Sequence, residues 1–126
     1  MSEYYELNIY KDQYKMLIEV LHTTKHIRKD FKRTIGEELR LTASENITLI
    51  QKANATKNNL EKRMEFLEKL KDNLEVLLVV IRSSRDVNII PKSAYARLIE
   101  PLLSVRDQCR KWYNATKKKS NNVNKT

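Results

Sequence analysis

The sequence predicts an all-α protein, an up-down-up-down bundle of four helices. Three observations carry this expectation. The chain of 126 residues has one glycine and two prolines, too little punctuation for the turns of an all-β fold. Leu60, Leu67, Leu74 and Ile81 repeat every seven residues, with Leu70 and Leu77 in a second seam; that spacing belongs to bundles and coiled coils. Charged residues make up 33% of the chain and leucine is abundant, the composition of long helices packed together. A chain of this length forms one domain and can bury roughly two-thirds of its unfolded surface. Residues 1–117 read as the bundle. Residues 118–126 read as a basic, polar tail without an apolar stripe, expected to be disordered.

The elements follow from the 3.6-residue period. The first helix is expected from about Asn8 to Arg28, with Tyr10, Tyr14, Leu17, Ile18 and Leu21 on its inner face. The second opens at Thr34-Ile35-Gly36-Glu37. Threonine followed three residues later by glutamate has the pattern of a capping box, in which each side chain satisfies an orphan amide of the first turn. Its stripe is Leu39, Ala43, Ile47 and Ile50, ending near Ala55. The third spans about Lys57 to Arg85 and carries the heptad leucines. The fourth spans about Pro91 to Lys117, with Tyr95, Leu98, Ile99, Leu102, Val105, Cys109 and Trp112 or Tyr113 as its stripe. Pro91 suits a first turn, where its missing amide costs nothing. Pro101 removes the bond to the Arg97 carbonyl and should kink the helix, or divide it at Glu100–Pro101.

Val76 to Ile81 is an unbroken apolar run. It is apolar on all sides of a helix, and such a surface is normally buried on all sides. One face should fill the core and the other should meet another subunit or a different partner.

Charge is strongly segregated. Residues 25–33 carry +4 and residues 82–126 carry +8, whereas residues 1–24 carry −2 and residues 34–81 carry −1. Antiparallel helices bring the first corner and the third corner to one end of the bundle. Lys25, Arg28, Lys29, Lys32 and Arg33 should therefore lie near Arg82, Arg85, Lys92 and Arg97. Arg106, Arg110, Lys111 and Lys117–Lys119 follow toward the other end. A segregated excess on a chain of pI ≈ 9.7 is the electrostatic footprint of a protein that binds a polyanion. These basic residues, apart from Lys117–Lys119, are the candidate nucleic-acid contacts.

The patterns of catalysis are missing from the sequence. It has no glycine-rich phosphate loop, no zinc-spaced Cys/His cluster and no nucleophile elbow, so neither enzymatic chemistry nor a cofactor is expected. His22 and His26 share a helix face at metal-binding spacing, but lack a third ligand nearby in sequence. Cys109 lies on the apolar stripe and reads as a core thiol. Trp112, Tyr113 and Tyr95 read as core aromatics, with base stacking as the less favoured role. A single cysteine fits a reducing compartment and a cytoplasmic location. No apolar run approaches a membrane span, and the acidic, polar N-terminal residues do not read as a signal peptide.

Three segments in order carry a family resemblance: Phe31-Lys32-Arg33-Thr34-Ile35-Gly36; Leu77 through Val87 with Ile89-Ile90; and Tyr95 through Trp112. The chain resembles the bacterial four-helix-bundle family that includes the accessory variability determinant of diversity-generating retroelements. The protein encoded in intervening sequences of 23S ribosomal RNA genes belongs to the same family. It departs from the pattern at Arg110-Lys111, where the family often has a glycine pair, and at Pro101. The resemblance implies a homopentameric barrel that binds RNA and possibly DNA. It also implies partnership with a reverse transcriptase in mutagenic copying of template RNA into cDNA. The alternative expectation is a structural bundle whose basic end docks an acidic protein.

Overall fold

The computed structural model describes residues 3–124, and these are all-helical, without a strand. After a short 3-10 turn at Tyr4–Glu6, the main helices are α1 Asn8–His26, α2 Glu37–Ala55, α3 Leu60–Asp86 and α4 Lys92–Asn124. Each helix packs against its chain neighbours, and α4 closes the ring against α1. The topology is the up-down-up-down bundle that short loops favour. No helix among the described residues is long and apolar enough to cross a membrane.

The first corner differs from its expected form. Helical geometry is interrupted at Ile27 and Arg28, whose ψ values are 158° and 142°. The chain is helical again from Lys29: a single turn, Lys29–Phe31, runs into a wide π turn, Lys32–Gly36, and then into α2. Thr34 thus lies inside a continuous helical path. A capping residue needs extended backbone to aim its oxygen at the next amides. Instead the Thr34 hydroxyl donates backward to the Phe31 carbonyl at 3.4 Å, so the expected capping box does not form. Gly36 ends the wide turn at a close approach. A Cβ there would lie 3.2 Å from Ile27 Cδ1 and 3.3 Å from Arg40 Nη1, tighter than ordinary van der Waals contact.

The second corner is closed by side chains and the third by backbone bonds. Thr56 donates to the carbonyls of Lys52 and Ala53 at 3.0 Å, and Arg63 Nε reaches the same Ala53 carbonyl at 2.8 Å. These bonds satisfy acceptors that a helix end leaves open. Asn59, rather than the region near Lys57, starts α3: its Oδ1 accepts from the Lys62 amide at 3.1 Å. At the far end of α3, Asn88 adopts φ 64°. The Ile89 amide reaches the Ser84 carbonyl at 2.8 Å and the Asn88 amide reaches Arg85 at 3.1 Å. This is a Schellman closure with asparagine at the left-handed position, the residue after glycine best suited to it.

The core combines the expected faces of α3 and α4 with a shifted face of α1. Leu67, Leu70, Leu74, Leu77 and Ile81 are buried against Leu98, Leu102, Val105 and Cys109. On α1 the buried positions are Ile9, Gln13, Met16, Val20, Thr23, Thr24 and then Ile27. Tyr14 and Leu21, expected inside, are 49% and 44% exposed, and Tyr10, Leu17 and Ile18 are only half-buried. The shift follows from polar residues at core positions. Gln13 Nε2 donates to the Ala43 carbonyl at 3.1 Å, Asn46 Nδ2 reaches Gln13 Oε1 at 3.5 Å, and Asn73 Nδ2 donates to Asn46 Oδ1 at 3.0 Å and Glu45 Oε1 at 2.6 Å. This chain of amides joins α1, α2 and α3. Such partners make polar burial tolerable, since an unpaired buried amide costs about 1–3 kcal/mol.

α4 is one helix through Pro101, which is buried. It continues past Lys117 to Asn124, where a disordered tail was expected. Consecutive lysines are good helix formers, and neither glycine nor proline intervenes to end the helix. The last two residues, 125 and 126, lie outside the described residues. Asp12 ties α1 to α4 by accepting from Ser104 Oγ and Gln108 Nε2, both at 2.7 Å. In the apolar run of α3, Leu77, Leu78 and Ile81 face inward, whereas Val76 and Val79 are 47% and 60% exposed.

Candidate nucleic-acid interface

The end of the bundle with the first and third corners is built from the C-terminus of α1, the turns before α2, the end of α3 and the start of α4. The corners meet across a cavity of about 460 Å³, bounded by His26 and Ile27 on one side and by Ile89 and Pro91 on the other. Two of the basic groups therefore share one end, as the topology predicts.

The twelve candidate cations divide into two sets of six. Arg28 bonds Asp30 at 3.2 Å and Arg85 bonds Asp86 at 2.9 Å. Arg97 reaches across to Glu19 of α1 at 3.1 Å, and Arg106 lies 3.6 Å from Glu75 of α3. Arg110 and Lys111 share Asp107, at 2.6 and 3.0 Å. Their hydrogen bonds, that of Lys111 foremost and then that of Arg110, hold the Asp107 carboxyl below the usual carboxylate range. The other six, Lys25, Lys29, Lys32, Arg33, Arg82 and Lys92, are exposed and make no ion pair among the described residues. All six lie on the elements of the shared end.

Paired arginines there have a second role. The Arg85 guanidinium stacks over Tyr95 and Arg28 over Phe31. The hydrogen bond to Asp86 raises the Arg85 pKa further, so its charge is permanent and locally matched. Such contacts fix side chains against the scaffold.

The opposite end also carries cations: Lys57, Arg63 and Lys119 line a cavity there that has no acid in its lining, and Lys117–Lys119 are exposed. A groove of about 850 Å³ runs between α3 and α4. Acids and bases alternate along it: Glu68, Asp72, Glu75 and Asp107 against Lys71, Arg106 and Arg110. The mixed signs leave little net field. Trp112 packs half-buried against the core with the Arg63 guanidinium over its ring, and burial lowers the Arg63 pKa. The Tyr113 hydroxyl bonds Glu68 at 3.0 Å, which raises its pKa. Of the three aromatics considered for base stacking, Trp112 and Tyr95 thus already carry a guanidinium on one face.

Cys109 is buried, its thiol donating to the Leu67 carbonyl at 3.3 Å, and burial pushes its pKa up to about 11. His22 and His26 sit exposed at the rim of the corner cavity. Among the described residues no group of three or more histidine, cysteine or acidic side chains could hold a metal ion. Sequence reasoning missed the cavity itself. Its inner wall comes from Thr23 together with Ile89 and Ala94, which lie more than sixty residues further along the chain, so they form no motif.

Comparison with protein-family models, with curated proteins and with solved structures finds no match to this chain.

Proposed function

We propose that this protein is a non-catalytic nucleic-acid-binding subunit that grips phosphates with the shared end of its bundle. The single observation that carries the reading is the set of six exposed, unpaired cations on two corners of that end: Lys25, Lys29, Lys32, Arg33, Arg82 and Lys92. Solvated lysines without acid partners keep their full field, and a cluster of them releases counterions when phosphates displace the ion atmosphere. The family resemblance refines the reading. It makes the protein an accessory subunit of a diversity-generating retroelement, partner to a reverse transcriptase and needed for mutagenic cDNA synthesis. It also makes the working form a homopentamer. The exposed Val76 and Val79 of α3 support self-association, since charged residues would otherwise be expected on an outer helix face.

Salt titration tests the reading. RNA affinity should fall linearly with salt on logarithmic axes, with a slope of about −0.7 for each single-strand phosphate neutralised. Replacing Lys29, Lys32, Arg33 and Arg82 with glutamine should weaken RNA and DNA alike and flatten the slope. A folded quadruple variant with the parent's affinity and slope would overturn it. Light scattering on the unmodified protein and on Val79→Glu tests assembly; a concentration-independent monomer removes the pentamer.

A further inference from the structure

The cavity at the other end of the bundle has the charge of an anion site. It measures about 440 Å³ and lies where α1 starts, where α2 turns into α3 and where the C-terminal half of α4 passes. Lys57, Arg63 and Lys119 line it, and no carboxylate does. None of the three makes an ion pair among the described residues. Gln108, also in the lining, donates to Asp12 on the seam between α1 and α4, and Asp12 takes a second bond from Ser104; that carboxylate is not part of the lining.

Arg63 is held in place before any ligand arrives. Its Nε donates to the Ala53 carbonyl at 2.8 Å, and its guanidinium lies over Trp112, 5.6 Å from the ring centroid. A guanidinium carries five N–H donors in a rigid fork, and no acid meets the remaining ones among the described residues. The side chain is half-buried, and burial lowers its pKa with no carboxylate to restore it. Charges taken out of water are normally paired, so an anion entering the cavity supplies the counter-charge that the fold omits. Leu7 caps α1 without a side-chain hydrogen bond, and Asn8 and Ile9 open the helix on the same cavity. The positive end of its dipole therefore adds to the field of the three cations.

We propose that this cavity binds a phosphomonoester, carried by a free nucleotide or by the end of a nucleic-acid strand. A monoester holds about −1.5 to −2 charges at pH 7, which suits three convergent cations better than the single charge of a phosphate within a strand. The Arg63 fork can meet two of its oxygens at once, and the lysines follow as point charges. The cavity is larger than a phosphate ion, and Leu7 and Ile9 give apolar surface for the carbon skeleton attached to it. The site lies at the end opposite the six unpaired cations and does not rest on them.

Trp112 is the only tryptophan and lines the cavity, so its fluorescence reports the site on the full chain. Adenosine 5′-monophosphate should change the emission saturably, and adenosine at the same ionic strength should not. The double variant Lys57→Gln/Lys119→Gln, which leaves Arg63 and its corner intact, should weaken the nucleotide about tenfold, the worth of two partly exposed ion pairs. A single-stranded 12-mer with a 5′-phosphate assigns the source. If it saturates the signal at lower concentration than the nucleotide, the ligand is a strand end; if it does not, the ligand is the free nucleotide. The proposal is overturned if adenosine monophosphate leaves the emission unchanged at millimolar concentration, or if the folded double variant binds it as the parent does. It is also overturned if a 12-mer with a 5′-hydroxyl changes the emission as strongly as the phosphorylated one, or if a glutamate-rich peptide changes it and the nucleotide does not.

Discussion

Arg85 and Tyr95 lock the end of α3 to the start of α4, with the guanidinium carbon 4.1 Å from the ring centroid and its Nη2 2.9 Å from Asp86. This arginine and Arg82 lie three residues apart in a basic segment, yet their surroundings differ. Arg82 is exposed and without an acid partner among the described residues. Arg85→Ala should therefore lower the melting temperature and leave the salt slope of RNA binding unchanged. Arg82→Ala should do the reverse. Thermal unfolding and salt titration of the two variants side by side check this.

Asn46 stands in the middle of the buried amide chain, between Gln13 and Asn73. Asn46→Ala removes a partner from each neighbour in a water-excluded core. The loss should be about 1–3 kcal/mol, the range for leaving a buried polar group unsatisfied. Denaturant unfolding should show it as a lower midpoint with an unchanged slope.

Caps distinguish the two candidate helix starts. Asn59→Ala removes the acceptor of the Lys62 amide and should cost about 1 kcal/mol. Thr34→Ala removes only an exposed, 3.4 Å bond to Phe31 and should stay within about 0.5 kcal/mol of the parent, as surface substitutions do. Equilibrium unfolding at fixed protein concentration compares them.

Cys109 gives a pH signature. Its folded pKa of about 11 lies above the reference 9.0, so the native state holds the proton more tightly than the unfolded chain does. The contribution to stability is fully present below pH 9 and is lost as pH rises through 9 to 11. Cys109→Ala should flatten that alkaline decline. Native protein should also react slowly with iodoacetamide at pH 8, and unfolded protein quickly.

Pro101 sets two effects against each other. Proline in a helix interior costs about 3 kcal/mol relative to alanine. Pro101→Ala also removes two buried methylene groups, worth about 0.8 kcal/mol each. The net should be a gain of about 1 kcal/mol, read as a higher denaturation midpoint. A loss would mean that the ring shapes the contact between α1 and α4.

The helical class, the four elements and their order were legible in the sequence because they rest on local signals: scarce glycine and proline, and a heptad whose Leu67, Leu74 and Ile81 pack where their spacing directs them, while Leu60 at its start is only half-buried. The clustering of charge was legible for the same reason, since topology alone brings two corners to one end. The inner face of α1 was not. Gln13, Thr23 and Thr24 occupy core positions, and hydrophobic periodicity cannot see a polar side chain whose partner lies thirty residues away, as Ala43 does from Gln13. The start of α2 was misread because Thr34-x-x-Glu37 is a capping box only in extended backbone, and here residues Lys29–Gly36 already run helically into α2. Pairing likewise belongs to the tertiary structure. Sequence counts charges along the chain, but whether Arg97 finds Glu19 while Lys92 finds no acid depends on which helix faces meet. The corner cavity, assembled from three elements, exists only once the bundle has closed.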